Sequence, residues 1–221
     1  MSYMFFLFFI LIILIAGASI WLGVSKQRYR EPGEGTDFRN LNEYGEPVRT
    51  LYTSSEIFTL HHRIEITDEY GSVAYRAETQ FPSIHDKTDV YDADGRHVAH
   101  IERKLISIHE IRYIDMEDGS SFTLSNELFH LIRDVTNLEG LGWVLEGNLL
   151  QLNFTIKDAE GGLIALVSQK FMSIHDKYAV DIYMPRHEQK AVAILIALQH
   201  MIRDRQSSAA ASGGGGGGGS Q

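Results

Sequence analysis

Between Val48 and the last apolar stretch, short runs that alternate apolar and polar residues are separated by turn residues. "RIEIT" before Asp68, "TDVY" before Asp92 and "LNFTIK" before Asp158 are such runs, and each leads into Asp-x-x-Gly. The arms that follow alternate too. Ala77 and Phe81 share one parity, as do Ala99, Ile101 and Leu105, and then Ala165, Val167 and Phe171. Period-two patterning predicts strands with one buried face. In Asp-x-x-Gly the aspartate can bond the backbone ahead of it, and the glycine supplies positive φ. The predicted unit is therefore a β-hairpin.

The unit repeats. "DADGRHVAHIERKLISIHE" from Asp92 aligns with "DAEGGLIALVSQKFMSIHD" from Asp158, and "DEYGSVAYRAETQFPSIHD" from Asp68 follows the same plan. Gly71, Gly95 and Gly119 stand 24 residues apart, as do Thr59, Ser83 and Ser107. Repeated hairpins of this kind form a meander that can close into a barrel. One stretch resists the pattern. "SNELFHLIRDV" from Ser125 has helical spacing with Ser125 as a cap, whereas the 24-residue period predicts a strand there. The period is followed.

Two stretches depart from the strand pattern. "HEQKAVAILIALQHMIRDR", from His187 to Arg205, is apolar at every position between Ala191 and Leu198. A helix apolar on all sides must be buried on all sides, and a run this short cannot span a bilayer. The inside of a closed barrel accepts such a helix, and the small Ala99 and Ala165 on the inward parity make room for it. At the other end, Met4 to Val24 is an uncharged run long enough to cross a bilayer core as a helix. Ala16-Gly17-Ala18 resembles a signal-peptide cleavage site. However, the run continues through Ile20, Trp21 and Leu22, and the basic residues Lys26, Arg28 and Arg30 come after it. These features predict an uncleaved single-pass anchor over residues 1–25, with Tyr3 and Trp21 at its two interfaces and the rest of the chain cytoplasmic. Residues 26–47 read as a juxtamembrane linker, residues 48–205 as the folded domain, and the Gly/Ser/Ala-rich residues 206–221 as a disordered tail.

Composition narrows the function. The chain of 221 residues has no cysteine, so no disulfide framework or thiolate metal site is available. Its net charge is −9, and setting aside Lys26, Arg28 and Arg30 leaves 17 basic against 29 acidic residues. Nucleic acid is not the expected partner.

The stretches "VYDADGRHVAHIERKLIS" and "LGWVLEGNLLQLNFTIKDAEGGLIALVSQKFMSIHDKYAVDI", together with the final apolar helix, resemble the LURP-one-related family over about Val48 to Arg205. That family shares the tubby C-terminal fold with phospholipid scramblases. The resemblance implies a mainly β protein: a closed antiparallel β-barrel of about twelve strands threaded by the C-terminal helix. It implies no catalytic motif. Tubby-like members bind phosphoinositide headgroups through basic residues, but an acidic domain is not drawn to anionic lipid by its overall field. Scramblases use acylated cysteines and a calcium-binding acidic segment, and this chain has neither cysteine nor a compact Asp-x-Asp loop of the calcium type.

The repeated word Ser-Ile-His-acid is the remaining candidate chemistry. It occurs as Ser83, His85 and Asp86, as Ser107, His109 and Glu110, and as Ser173, His175 and Asp176. A Ser-His-Asp triad within four residues is disfavoured, because neighbours on an extended strand point to opposite faces. Three equivalent histidines suit zinc in kind, but hairpins spread around a barrel hold them apart. A structural corner, with Ser and Asp closing turns and Ile plugging the barrel end, needs no ligand. Trp143 reads as a core aromatic, and "DMEDG" from Asp115 as a solvated turn without calcium-loop spacing. The sequence thus predicts a membrane-anchored, non-enzymatic domain without cofactor that works beside lipid or as a scaffold. Docking of a protein partner and a metal-binding or enzymatic use of the corners are the alternatives.

Overall fold

The computed structural model describes residues 45–54, 63–80, 86–105, 110–125, 135–170 and 177–213. The strands are β1 (Arg49–Ser54), β2 (Arg63–Thr67), β3 (Val73–Thr79), β4 (Lys87–Asp92), β5 (His97–Leu105), β6 (Glu110–Met116), β7 (Ser121–Ser125), β8 (Val135–Leu138), β9 (Trp143–Asn148), β10 (Asn153–Lys157), β11 (Leu163–Lys170) and β12 (Lys177–Ile182). One long helix follows, α1 (Glu188–Gly213). All twelve strands belong to one antiparallel sheet in the order β7-β6-β5-β4-β3-β2-β1-β12-β11-β10-β9-β8. Among the described residues the two outer strands meet at the bridge Thr123↔Glu139, whose N–H···O distance is 3.3 Å. The barrel is thus nearly closed. At this seam Gly140 has φ +96°, and a Cβ there would lie 2.7 Å from the Ser121 carbonyl oxygen, so only glycine lets the two backbones come this close.

The Asp-x-x-Gly hairpins form as the sequence predicts. Asp68 Oδ1 accepts from the backbone N–H groups of Tyr70 and Ser72 at 2.9 and 2.8 Å, and Asp92 and Asp158 repeat the pattern. Gly71, Gly95, Gly119 and Gly161 all hold φ between 78° and 83°. A feature the alternation did not predict accompanies three of these turns. The register slips between Ile66 and Thr67, between Val90 and Tyr91, and between Ile156 and Lys157, so the returning arm carries one extra residue: Ala74, Val98 or Ile164. Each bulge residue stands three positions after its glycine and is buried. The bulge reverses parity, so Ala74–Tyr75 and Val98–Ala99 are consecutive buried pairs within arms that otherwise alternate, whereas in β11 Ile164 and Ala165 sit within a run buried continuously from Leu163 to Val167.

The core is the barrel interior with α1 inside it. Every residue from Ala191 to Leu198 is 0% exposed. Leu51, Ile66, Val90, Ile101, Ile114, Leu124, Phe154, Val167 and Val180 line the wall around it, with Ala77, Ala99 and Ala165 supplying the space. Each buried Val, Ile or Leu of the helix contributes about 1.5–3 kcal/mol over its exposed state. The helix also runs eight residues past Arg205, so residues 206–213 are helical where irregular chain was expected. Ala209, Ala210 and Ala211 have the highest helix propensity of any residue type, and the hydroxyls of Ser207 and Ser208 donate back to the Asp204 carbonyl.

Residues 1–34 and 35–221 form separate units, and the described residues all belong to the second. The expected anchor, with Tyr3, Trp21, Lys26, Arg28 and Arg30, lies outside the described residues, as does the Asn126–Asp134 stretch, where helix and strand competed. Among the described residues no helix is long and apolar enough to cross a membrane.

Candidate functional site

The topology sorts the barrel into two unlike ends. The Asp-x-x-Gly turns and the start of α1 share one end. At the other, β3 hands over to β4, β5 to β6 and β11 to β12, and there the buried part of α1 ends. Along the sequence the three copies of Ser-Ile-His-acid fall in these handovers. Ser83, His85, Ser107, His109, Ser173, His175 and Asp176 themselves lie outside the described residues. Glu110 opens β6 opposite Leu105. Asp86 is described in full. It sits just before β4 at φ 29° and accepts a hydrogen bond from Arg103 Nη1 at 3.1 Å.

That bond is the edge of a polar cluster in which the helix meets the wall. Arg103 also donates to Asp204 Oδ2 at 3.3 Å, and Arg112, 0% exposed and facing inward from β6, donates to the same carboxylate oxygen. One turn earlier on α1, His200 Nε2 lies 3.4 Å from Thr88 Oγ1, which is 3.0 Å from Thr79 Oγ1. Burial pushes the His200 imidazole well below its ordinary pKa, and the nearby Arg112 and Arg203 add to the shift. His200 is therefore neutral at pH 7. At the opposite end, Glu188 at the start of α1 accepts from Arg49 Nη1 and Tyr75 Oη, both at 2.8 Å. Burial raises the Tyr75 phenol, and the Glu188 carboxylate raises it further. Lys190 Nζ pairs with Asp118 at 2.6 Å, and that bond, with those from Ser120, holds the Asp118 carboxyl far below the usual range.

A second cluster lies on the outer wall and was not foreseen. The bulge at Val98 places His97 and His100 on the same outer face. His100 Nδ1 donates to Asp89 Oδ1 at 2.6 Å, and Gln80 donates to the other oxygen at 3.2 Å. His97 stands between two carboxylates, with Nδ1 3.1 Å from Glu117 and Nε2 3.5 Å from Asp89. Burial alone would raise the Asp89 carboxyl. The His100 hydrogen bond and charge, with Gln80 and His97, outweigh that and hold it below its ordinary value. The signal was present in "HVAH", because a bulge residue at Val98 turns two histidines three apart into neighbours. The corresponding positions in the β2–β3 hairpin are Glu65, Val73 and Arg76, so the fold does not itself require histidine there. Among the described residues no group of three or more His, Asp and Glu side chains is set to hold a metal ion. Trp143 is a core aromatic, 6% exposed, with its ring edge-to-face with His187 at 5.0 Å. Asp115 is exposed beside the Met116–Gly119 turn, as expected of a solvated corner.

The LURP-one-related family profile matches residues 49–199 of the chain. The chain belongs to that family. The matched span opens with β1 and closes inside α1, so the family pattern takes in the strands and the buried part of the helix together. Uncharacterized protein YxjI of Bacillus subtilis strain 168 is similar, at 24% identity over 152 residues, which cover 69% of this chain and 93% of the relative. An X-ray structure of a protein from Arabidopsis thaliana is similar at a TM-score of 0.40 and 14% identity, covering 71% of this chain and 94% of that one.

Proposed function

We propose that this family member is a membrane-tethered, non-enzymatic binding domain whose recognition surface is the outside of the barrel and its rims. The observation that carries this reading is the filled interior. With Ala191 to Leu198 wholly buried along the axis, the space in which other closed barrels hold a ligand is occupied by the chain itself. Tethering comes from the sequence: Met4 to Val24 suits a membrane span, and Lys26, Arg28 and Arg30 suit a cytoplasmic exit. A flexible linker over residues 26–47 reaches about 25 Å on average, which keeps the barrel beside the inner leaflet at high local concentration. Lipid contact then needs little affinity of its own, in keeping with the acidic domain. Protein-partner docking is the second reading. It is favoured by Tyr70, 86% exposed at a hairpin tip, and Val48, 67% exposed at the same end.

One measurement tests the topology and a second separates the readings. Protease added to spheroplasts carrying the full chain should leave the barrel intact until lysis, and earlier degradation would reverse the topology. The full chain reconstituted beside anionic vesicles should show weak, nearly salt-independent contact with lipid. Tight salt-sensitive binding would replace this reading with headgroup recognition, and no lipid contact even when tethered would favour the protein partner.

A further inference from the structure

Polar side chains inside the barrel gather near the end where the buried part of α1 stops. Two of them stand apart from the bonds described above. Gln199 is 1% exposed and Thr53 is 2% exposed. The Gln199 side-chain oxygen and nitrogen and the Thr53 hydroxyl have no hydrogen-bond partner among the described residues. Burying such groups without a partner is costly, and nearly all buried polar groups are therefore satisfied.

The wall sets the two residues at one level and on one side of the helix. At the start of α1, Glu188 accepts from both Arg49 on β1 and Tyr75 on β3. On β3 a step of four residues leads from Tyr75 to Thr79, whose hydroxyl meets Thr88 and through it His200. Four residues of wall thus match the twelve residues of helix from Glu188 to His200. On β1 the same four-residue step leads from Arg49 through Leu51 to Thr53, all of one parity. Thr53 therefore stands level with Gln199 and His200. The direction agrees too. Gln199 follows Glu188 by eleven residues, about three turns plus 20° at roughly 100° per residue, so it projects from the side of α1 that meets β1. His200, about 100° further round, turns to β4 instead. Beside the pair, Ile66 opposite Thr53 and Leu195 one turn before Gln199 are apolar and 0% exposed.

We propose that Gln199 and Thr53 form a built site for internal water, in which at least one molecule bridges the last buried turn of α1 to β1. Water suits the chemistry of the pair. The amide offers both a donor and an acceptor, the hydroxyl offers either, and a water molecule answers each of them, whereas an ion serves one sign alone. Internal waters typically make about three hydrogen bonds to buried groups that would otherwise lack them. The packed residues from Ala191 to Leu198 leave no place beside the pair for a larger organic guest. The inference does not depend on what the barrel binds.

Oxygen-17 relaxation dispersion of the solvent, recorded on the full chain in detergent, counts long-lived internal waters without interference from hydroxyl exchange. Gln199→Leu should lower the count by at least one, and Thr53→Val should do the same. Thermal melting gives a second readout. Each single substitution leaves the other polar group without its bridge and should lower the thermal midpoint by about 2–8 °C. The double variant makes both sides apolar and should return to within about 2 °C of the wild type. An unchanged water count in both single variants overturns the inference. Coupled melting without a change in count means a direct bond between Thr53 and Gln199, which overturns it as well. So does a higher midpoint for Gln199→Leu alone, the mark of an amide that water does not reach. Should Gln199→Leu fail to fold, the count for Thr53→Val decides by itself.

Discussion

Leu195 offers the most direct test of the axial helix. It lies in the middle of the wholly buried run and is itself 0% exposed, so truncating it leaves a hole that neither wall nor helix can readily fill. Leu195→Ala should cost about 2–5 kcal/mol, the lost transfer energy plus the cavity. Against a domain stability of about 5–15 kcal/mol, that is a large fraction. At about 2–4 °C per kcal/mol for a domain of this size, the thermal midpoint should fall by roughly 4–20 °C. Leu195→Asp buries a charge with no partner in an apolar surrounding and should cost more, enough to unfold the barrel outright at the upper end. The control is Leu150, 44% exposed on the β9–β10 connection, where truncation to alanine should stay within about 0.5 kcal/mol. The assay is circular dichroism of the full chain in detergent, following the β signal through heating. If Leu195→Ala melts with the wild type, the helix is not packed on the axis and the account of the core is wrong.

Two further predictions follow from the same geometry. Gly140→Ala should destabilise more than Gly71→Ala: both glycines have positive φ, but only at Gly140 would the new Cβ strike backbone, and chemical denaturation midpoints compare the two directly. His200 has a folded pKa below its unfolded value, so its contribution to stability is present above about pH 6.5 and is lost as pH falls below it. The wild type should lose up to about 1.4 kcal/mol per pH unit more than His200→Leu between pH 6.5 and 5.5, and parallel denaturation curves for the two would refute this.

Much of the fold could be read from the chain because its determinants are local and repeated. Asp68, Asp92 and Asp158 each build their own turn, their glycines need positive φ, and the arms alternate, so the hairpins and the inward parity of Ala77, Ala99 and Ala165 follow from neighbouring residues. The burial of α1 could be read for a different reason: eight apolar positions in a row admit no exposed face. What escaped was non-local. Nothing in "RYI" marks Arg112 for complete burial, because that depends on Asp204 arriving from a helix 92 residues later. The His97–Asp89–His100 cluster escaped because the alternation was counted without the bulge at Val98, and one inserted residue moves every later side chain to the other face.

The order of these elements along the chain bears on how the protein is made. The plug is the last piece of the fold to leave the ribosome, after all twelve strands. At about 5–20 residues per second, the wall made by β1 to β7, complete at Ser125, waits on the order of 10 s for Ile202 to emerge. Through that interval its inner face, with Ile66, Val90, Ile101, Ile114 and Leu124, has no helix to close on. A nascent chain of this kind is a natural client for a holding chaperone. Messages truncated before α1 should accordingly yield aggregates rather than a smaller soluble barrel.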